Sequence, residues 1–184
     1  MWSRESARLI RLAAALGGAA LLAGCFEPLY GSRPSVDGES VHDKLAEVQL
    51  APIPLRQGTP QARIAVGMHN ALQFDLNGGA APTAPTHRLD VSVTTSGFTV
   101  IVDVASGRPT AQVAGIVASY QLVEIATGKV VLKDTASTNV DYDVPGSEQR
   151  FAVQRAQRDA EDRAVLMAAE TIRNRLASYF VAGT

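Results

Sequence analysis

Residues 111–142 read AQVAGIVASYQLVEIATGKVVLKDTASTNVDY, and this stretch decides the fold. From Ala111 to Glu124 apolar residues are nearly continuous, which predicts a central strand. Ala126-Thr127-Gly128-Lys129 reads as a hairpin loop, with glycine available for the positive φ that such turns require. Val130 to Tyr142 is the next strand, and Pro145-Gly146 closes it.

Upstream, Leu89, Val91 and Val93 alternate with Asp90, Ser92 and Thr94. That period of two predicts a strand with one wet face, continuing through Phe98 to Val102 after a break at Gly97. Ser106-Gly107-Arg108-Pro109 turns it back. Before it lies a helix: Thr59 followed by Pro60 is a start signature, and Ile64, Met68, Ala71, Leu72 and Leu76 form one apolar stripe. Asn77-Gly78-Gly79 stops it. Glu47 to Ala51 is a short strand ended by Pro52 and Pro54.

Downstream, Ser147 is the expected cap of a helix reaching about Phe180. Phe151, Ala156, Ala160, Ala164, Val165, Ala168, Ile172, Leu176 and Tyr179 or Phe180 make a narrow stripe of small residues. Arg155 with Asp159, Asp159 with Arg163 and Arg158 with Asp162 are spaced to pair on the exposed face. At 1.5 Å per residue such a helix is about 45–50 Å long, against about 33 Å for a ten-residue strand. It must overhang the sheet, curve, or pack on something else.

The order is therefore β-α-β-β-β-α across residues 47–184. Three antiparallel strands and one early strand give a four-stranded mixed or antiparallel sheet. Two amphipathic helices cover one face, which is a two-layer α+β sandwich.

Residues 26–46, with Pro28, Gly31, Pro34 and Gly38, read as a tether together with Cys25. Residues 1–24 read differently. Arg4, Arg8 and Arg11 precede an apolar run from Leu12 to Ala23, too short for the roughly 20 residues that span a bilayer. A basic head, a short apolar middle and a small-residue end make an export signal. The chain has 17 basic and 18 acidic residues. Removing the signal takes away three Arg and one Glu and leaves 14 and 17. That balance excludes the strongly basic face of a nucleic-acid binder.

Cys25 is the single cysteine of the 184 residues, so it cannot form an internal disulfide. Leu22-Ala23-Gly24-Cys25 resembles the lipobox of bacterial lipoproteins. The resemblance implies a covalent diacylglycerol on the thiol, cleavage before Cys25, and an acyl chain on the new amino group. Phe26 stands where Asp would imply inner-membrane retention, so the outer membrane is the expected location.

No G-x-S-x-G elbow, H-E-x-x-H or phosphate loop occurs. His42, His69 and His87 fall in the tether, beside a helix stripe and at a strand entrance, and each is read as a surface or satisfied core residue. Asp90, Asp103, Asp141 and Asp143 form no evident pair with them. The expectation is no enzyme, no catalytic residues, no metal and no dissociable cofactor.

Cys25-Phe26-Glu27-Pro28-Leu29-Tyr30-Gly31 resembles the C-G-F-x-P-L-Y-G start of alphaproteobacterial LPS-assembly lipoproteins (the LptE or rare lipoprotein B family), with one residue fewer before the proline. Ala118 to Val123, Thr127 to Val131, and Ala156 to Phe180 with Ile172-Arg173-Asn174-Arg175-Leu176 are similar to that family's central hairpin and last helix. The resemblance implies an outer-membrane lipoprotein at the periplasmic face. It would plug and help assemble an LptD-type β-barrel and contact lipopolysaccharide. Because lipopolysaccharide is polyanionic, basic side chains are expected to hold it. Arg88 and Lys129 fall at one end of the sheet and are the expected contacts, with Arg108 at the other end; ordinary solvated turn charges are the alternative. Two further readings stay open: an anchored auxiliary of another lipid or solute transport system, and an anchored periplasmic hydrolase.

Overall fold

The computed structural model describes residues 38–55, 57–82, 84–144 and 149–183, without the side chain of Val100. The export signal, Cys25 and the expected Ser147 cap lie outside the described residues. The elements are α1 (Val41–Ala46), β1 (Val48–Leu50), α2 (Pro60–Asn77), β2 (His87–Val102), β3 (Pro109–Glu124), β4 (Val130–Asp143) and α3 (Arg150–Ala182). The four strands form one sheet in the order β1-β2-β3-β4. β1 runs parallel to β2, whereas the β2–β3 and β3–β4 pairs are antiparallel.

Alternation sorts each strand into two faces. Leu89, Leu122 and Leu132 lie side by side across β2, β3 and β4 on the helix-covered face, and all three are buried. Val91, Ile116, Ala118, Ala136 and Val140 continue this face. Its helical partners are Ile64, Met68, Leu72 and Leu76 from α2 and Ala160, Ala164, Ala168, Ile172 and Leu176 from α3. The Thr138 hydroxyl, buried with them, donates to the Ala164 carbonyl at 2.9 Å and fixes α3 over β4. α2 and α3 run parallel, since Arg63 reaches both Glu161 and Asp162 and Gly67 lies against Val165.

Several expectations change. Residues 41–46, read from sequence as part of the tether, fold as α1. Ser40 accepts a hydrogen bond from the Asp43 amide at 3.1 Å, and Val41 and Leu45 are buried. The folded domain thus begins before Glu47. Six residues are too few to show a helical period, so the Ser40–Asp43 spacing was the available sign. β2 does not break at Gly97 but pairs continuously with β3 through Thr99. Thr59 stands at the N-cap position of α2 but makes no capping hydrogen bond with its side chain. Gly78, at φ 65°, ends that helix in the left-handed region as the glycines predicted.

The long helix overhangs. α3 has 33 residues, yet its buried side chains begin only at Ala160. Phe151, expected on the buried stripe, is 83% exposed because the first turns extend past the helix-covered core. Arg163 pairs with Asp159 at 2.9 Å as the spacing predicted. Asp162 instead joins Glu161 on Arg63 of α2.

Candidate functional site

The face of the sheet away from the helices carries the polar alternates. In β2 these are Arg88, Asp90, Ser92 and Thr94. Asp90 stands opposite Gln121 of β3, which stands opposite Lys133 of β4; Ser92, Ser119 and Thr135 form the next row. The segment after β1 leaves the ladder because Pro52 and Pro54 have no N–H. With Ala51 those prolines wall one side of a cavity of about 410 Å³ whose floor includes Asp90, Ser92, Ser119, Gln121 and Lys133.

Charges in the cavity are unequally committed. Arg88 Nε and Nη2 donate to the two oxygens of Asp90 at 2.9 and 3.2 Å. Gln121 Nε2 donates to the same carboxylate at 3.2 Å. These bonds from Arg88, ahead of that from Gln121, hold Asp90 below the usual carboxylate range despite partial burial, and the Asp90 hydrogen bond raises Arg88. Lys133 has no ion-pair partner among the described residues. It is therefore the cation on this face best placed to meet an incoming anion. Serine hydroxyls and the Gln121 amide can add neutral hydrogen bonds. The arrangement can bind anionic or polar groups.

Arg88 and Lys129 fall at the same end of the sheet, as the antiparallel reading required. Arg88 opens β2, and Lys129 sits in the β3–β4 turn, where its carbonyl accepts from the Glu124 amide at 2.9 Å. Arg108 is in the β2–β3 turn at the far end. Lys133 and Gln121 were missed. Their signal was the alternation from Arg88, but their alignment depends on a register shift, since Leu122 faces Leu132 whereas Val123 faces Val130.

At the proximal end His87 lies edge-on to Phe180, with ring centroids 5.3 Å apart. Its Nδ1 is 2.9 Å from Thr86 Oγ1, which donates to Glu47 at 3.0 Å. Burial pulls its pKa below the ordinary 6.5, with Glu124 and Glu47 opposing and Lys44 assisting. The unfolded imidazole thus takes a proton that the folded one resists, so acid favours unfolding. Stability should begin to fall as pH drops through about 6.5, and His87→Gln should flatten that fall. Urea midpoints between about pH 7 and pH 5.5 check this; equal losses in both proteins would count against it.

His42 is exposed on α1, 3.6 Å from Asp43. Among the described residues no group of three or more His, Cys, Asp or Glu could hold a metal ion. Among them also, no helix is long and apolar enough to cross a membrane.

The fold is that of solved bacterial lipoproteins. One from Caulobacter crescentus CB15 has a TM-score of 0.58 and 18% identity, covering 77% of this chain and 96% of that one. Rare lipoprotein B from Shewanella oneidensis has a TM-score of 0.51 and 13% identity, covering 71% and 93%. A minor lipoprotein from Acinetobacter baumannii gives 0.50 and 10%, covering 72% and 92%. The architecture is thus LptE-like, a mixed sheet with helices packed against it. No protein-family model matches the sequence, and no curated protein matches it.

Proposed function

We propose that this chain is a lipid-anchored lipoprotein of the outer membrane, of the alphaproteobacterial LptE type, that works with an LptD-type β-barrel in lipopolysaccharide assembly. The observation that carries the reading is a rare-lipoprotein-B fold following a lipobox cysteine at position 25. The role is non-catalytic: the domain occupies and steadies the barrel, and its polar sheet face meets the saccharide and phosphate groups of lipopolysaccharide. Diacylglycerol and an acyl chain on Cys25 hold it at the periplasmic face. A tagged full-length chain, expressed in its native host and purified from solubilised outer membrane, should bring down one barrel chain of several hundred residues in equal amount. Purification without a barrel would overturn the assignment.

The site refines which cations matter. Arg88 is already held by Asp90, so Lys133 and Lys129 are the better lipopolysaccharide contacts. A hydrogen bond to a charged group contributes about 1.5–3 kcal/mol, roughly tenfold or more in affinity. Lys133→Glu should weaken lipopolysaccharide binding by about that factor, and Arg88→Glu with Lys129→Glu should do so mainly through Lys129. Equal binding by the parent and both variants, measured by surface plasmon resonance, would remove this face from the interface.

A further inference from the structure

We propose that the cavity beside Pro52 and Pro54 is a subsite for one acidic sugar, a pyranose ring bearing a carboxylate or phosphate group. The inference deepens the proposed role and rests on it only for where that sugar comes from. The cavity floor sets a fixed anion and an uncommitted cation at opposite sides. Asp90 of β2, Gln121 of β3 and Lys133 of β4 stand in one row, two strand spacings from end to end, or about 9–10 Å between backbones. The volume of about 410 Å³ is near the low end of the roughly 300–1,000 Å³ of small-molecule sites. A single ring with one charged substituent spans that row and suits that space.

Each group on the floor sets a demand on the ligand. A carboxylate offers about four acceptor sites. Asp90 already accepts from Arg88 Nε and Nη2 and from Gln121 Nε2, and these bonds keep it ionised. Its remaining capacity can only accept, so the ligand must bring a hydroxyl or amino donor. Lys133 is exposed and can only donate, so it calls for an anion. Between them the hydroxyls of Ser92 and Ser119 can both give and take. Donors at one end, an anion at the other and hydroxyls between describe a sugar acid. Pro52 and Pro54 add an aliphatic wall for the C–H face of its ring.

Other ligands meet this floor less well. A nucleobase needs an exposed aromatic face to stack on. Tyr120 alternates to the helix-covered side and is 4% exposed, and no other aromatic side chain among the described residues lines the cavity. An extended peptide brings one main-chain donor per residue, about 3.4 Å apart, and alternate ones point away. The sheet face beyond the cavity also suits a saccharide. Thr94 and Ser137 flank Val117, and Ser96 and Asn139 flank Gly115. A Cβ at Gly115 would collide with the Ser96 hydroxyl and the Asn139 amide oxygen, so glycine lets both side chains close over the middle strand. A neutral track of hydroxyls and amides thus leads away from the charged cavity, and a further, neutral sugar can lie along it.

The test uses the full mature chain, isotope-labelled and held in neutral detergent micelles, with amide shifts read by NMR. Glucuronate and glucose 6-phosphate are the carboxylate and phosphate probes. At least one should shift Ser92, Ser119 and Gln121 and bind about tenfold more tightly than glucose; the tighter of the two identifies the acid group. Inorganic phosphate alone should bind about tenfold more weakly than the better probe. Lys133→Met should abolish the preference for the acidic sugar over glucose while its urea midpoint matches the parent's. No shift at these residues with any sugar would overturn the subsite. So would inorganic phosphate binding as tightly as the better probe, or a Lys133→Met protein that keeps the preference. If the subsite fails while the barrel still co-purifies, the proposed role stands. Sugar binding without a barrel keeps the subsite and removes that role.

Discussion

Replacing Cys25 by Ser is expected to release the chain from the membrane. The proposed anchor is covalent lipid on one thiol and one amino group, and each buried CH₂ contributes about 0.8 kcal/mol. A chain with about a dozen buried methylenes then contributes on the order of 10 kcal/mol, and the anchor has two or three such chains. No described helix could substitute, since none is long and apolar enough to cross. With the thiol gone, the export signal should also stay uncleaved, so the variant is best made behind an ordinary cleavable signal. Fractionation should then move it from outer membrane to soluble periplasm. Mass spectrometry of the parent should find fatty acyl groups on its first residue. An unmodified thiol at position 25 would defeat the anchored reading.

Leu122→Ala should have the largest effect on stability. Leu122 sits in the central strand between Leu89 and Leu132, fully buried beneath the helices. Truncating such a side chain loses transfer energy and leaves a cavity, together about 2–5 kcal/mol. With a urea slope of about 2 kcal/mol per molar, the midpoint should fall by roughly 1–2.5 M. Val104→Ala is the control: Val104 is fully exposed in the β2–β3 turn, and such sites change stability by about 0.5 kcal/mol or less. Comparable midpoints for the two variants would show that the leucine row does not hold the layers together.

Much of this architecture could be read from local pattern. The hairpin at residues 111–142, the alternation from Leu89 to Val93 and the glycine stop of α2 all follow rules that act within a few residues. What escaped was set by distance along the chain. The parallel pairing of β1 with His87–Leu89 joins segments about forty positions apart. The contact of Arg63 with Glu161 and Asp162 spans nearly a hundred. Lys133 joins Asp90 and Gln121 only through two successive registers and a shift near Val131. Phe151 fits the apolar period of α3, but period alone cannot tell where the sheet beneath a helix ends. His87 is half-buried against Phe180, which lies far along the chain near its other end.

Around Thr138 the contact between α3 and the sheet is rich in methyl groups, with Ala160, Ala164 and Ala168 on one side and Ala118 and Ala136 on the other. Alanine has no rotamers to exchange, so a displacement there cannot be absorbed by repacking. Helix and strands are keyed like two flat plates bolted through Thr138. Force applied to one is delivered to the other, so the two layers move as one stiff body.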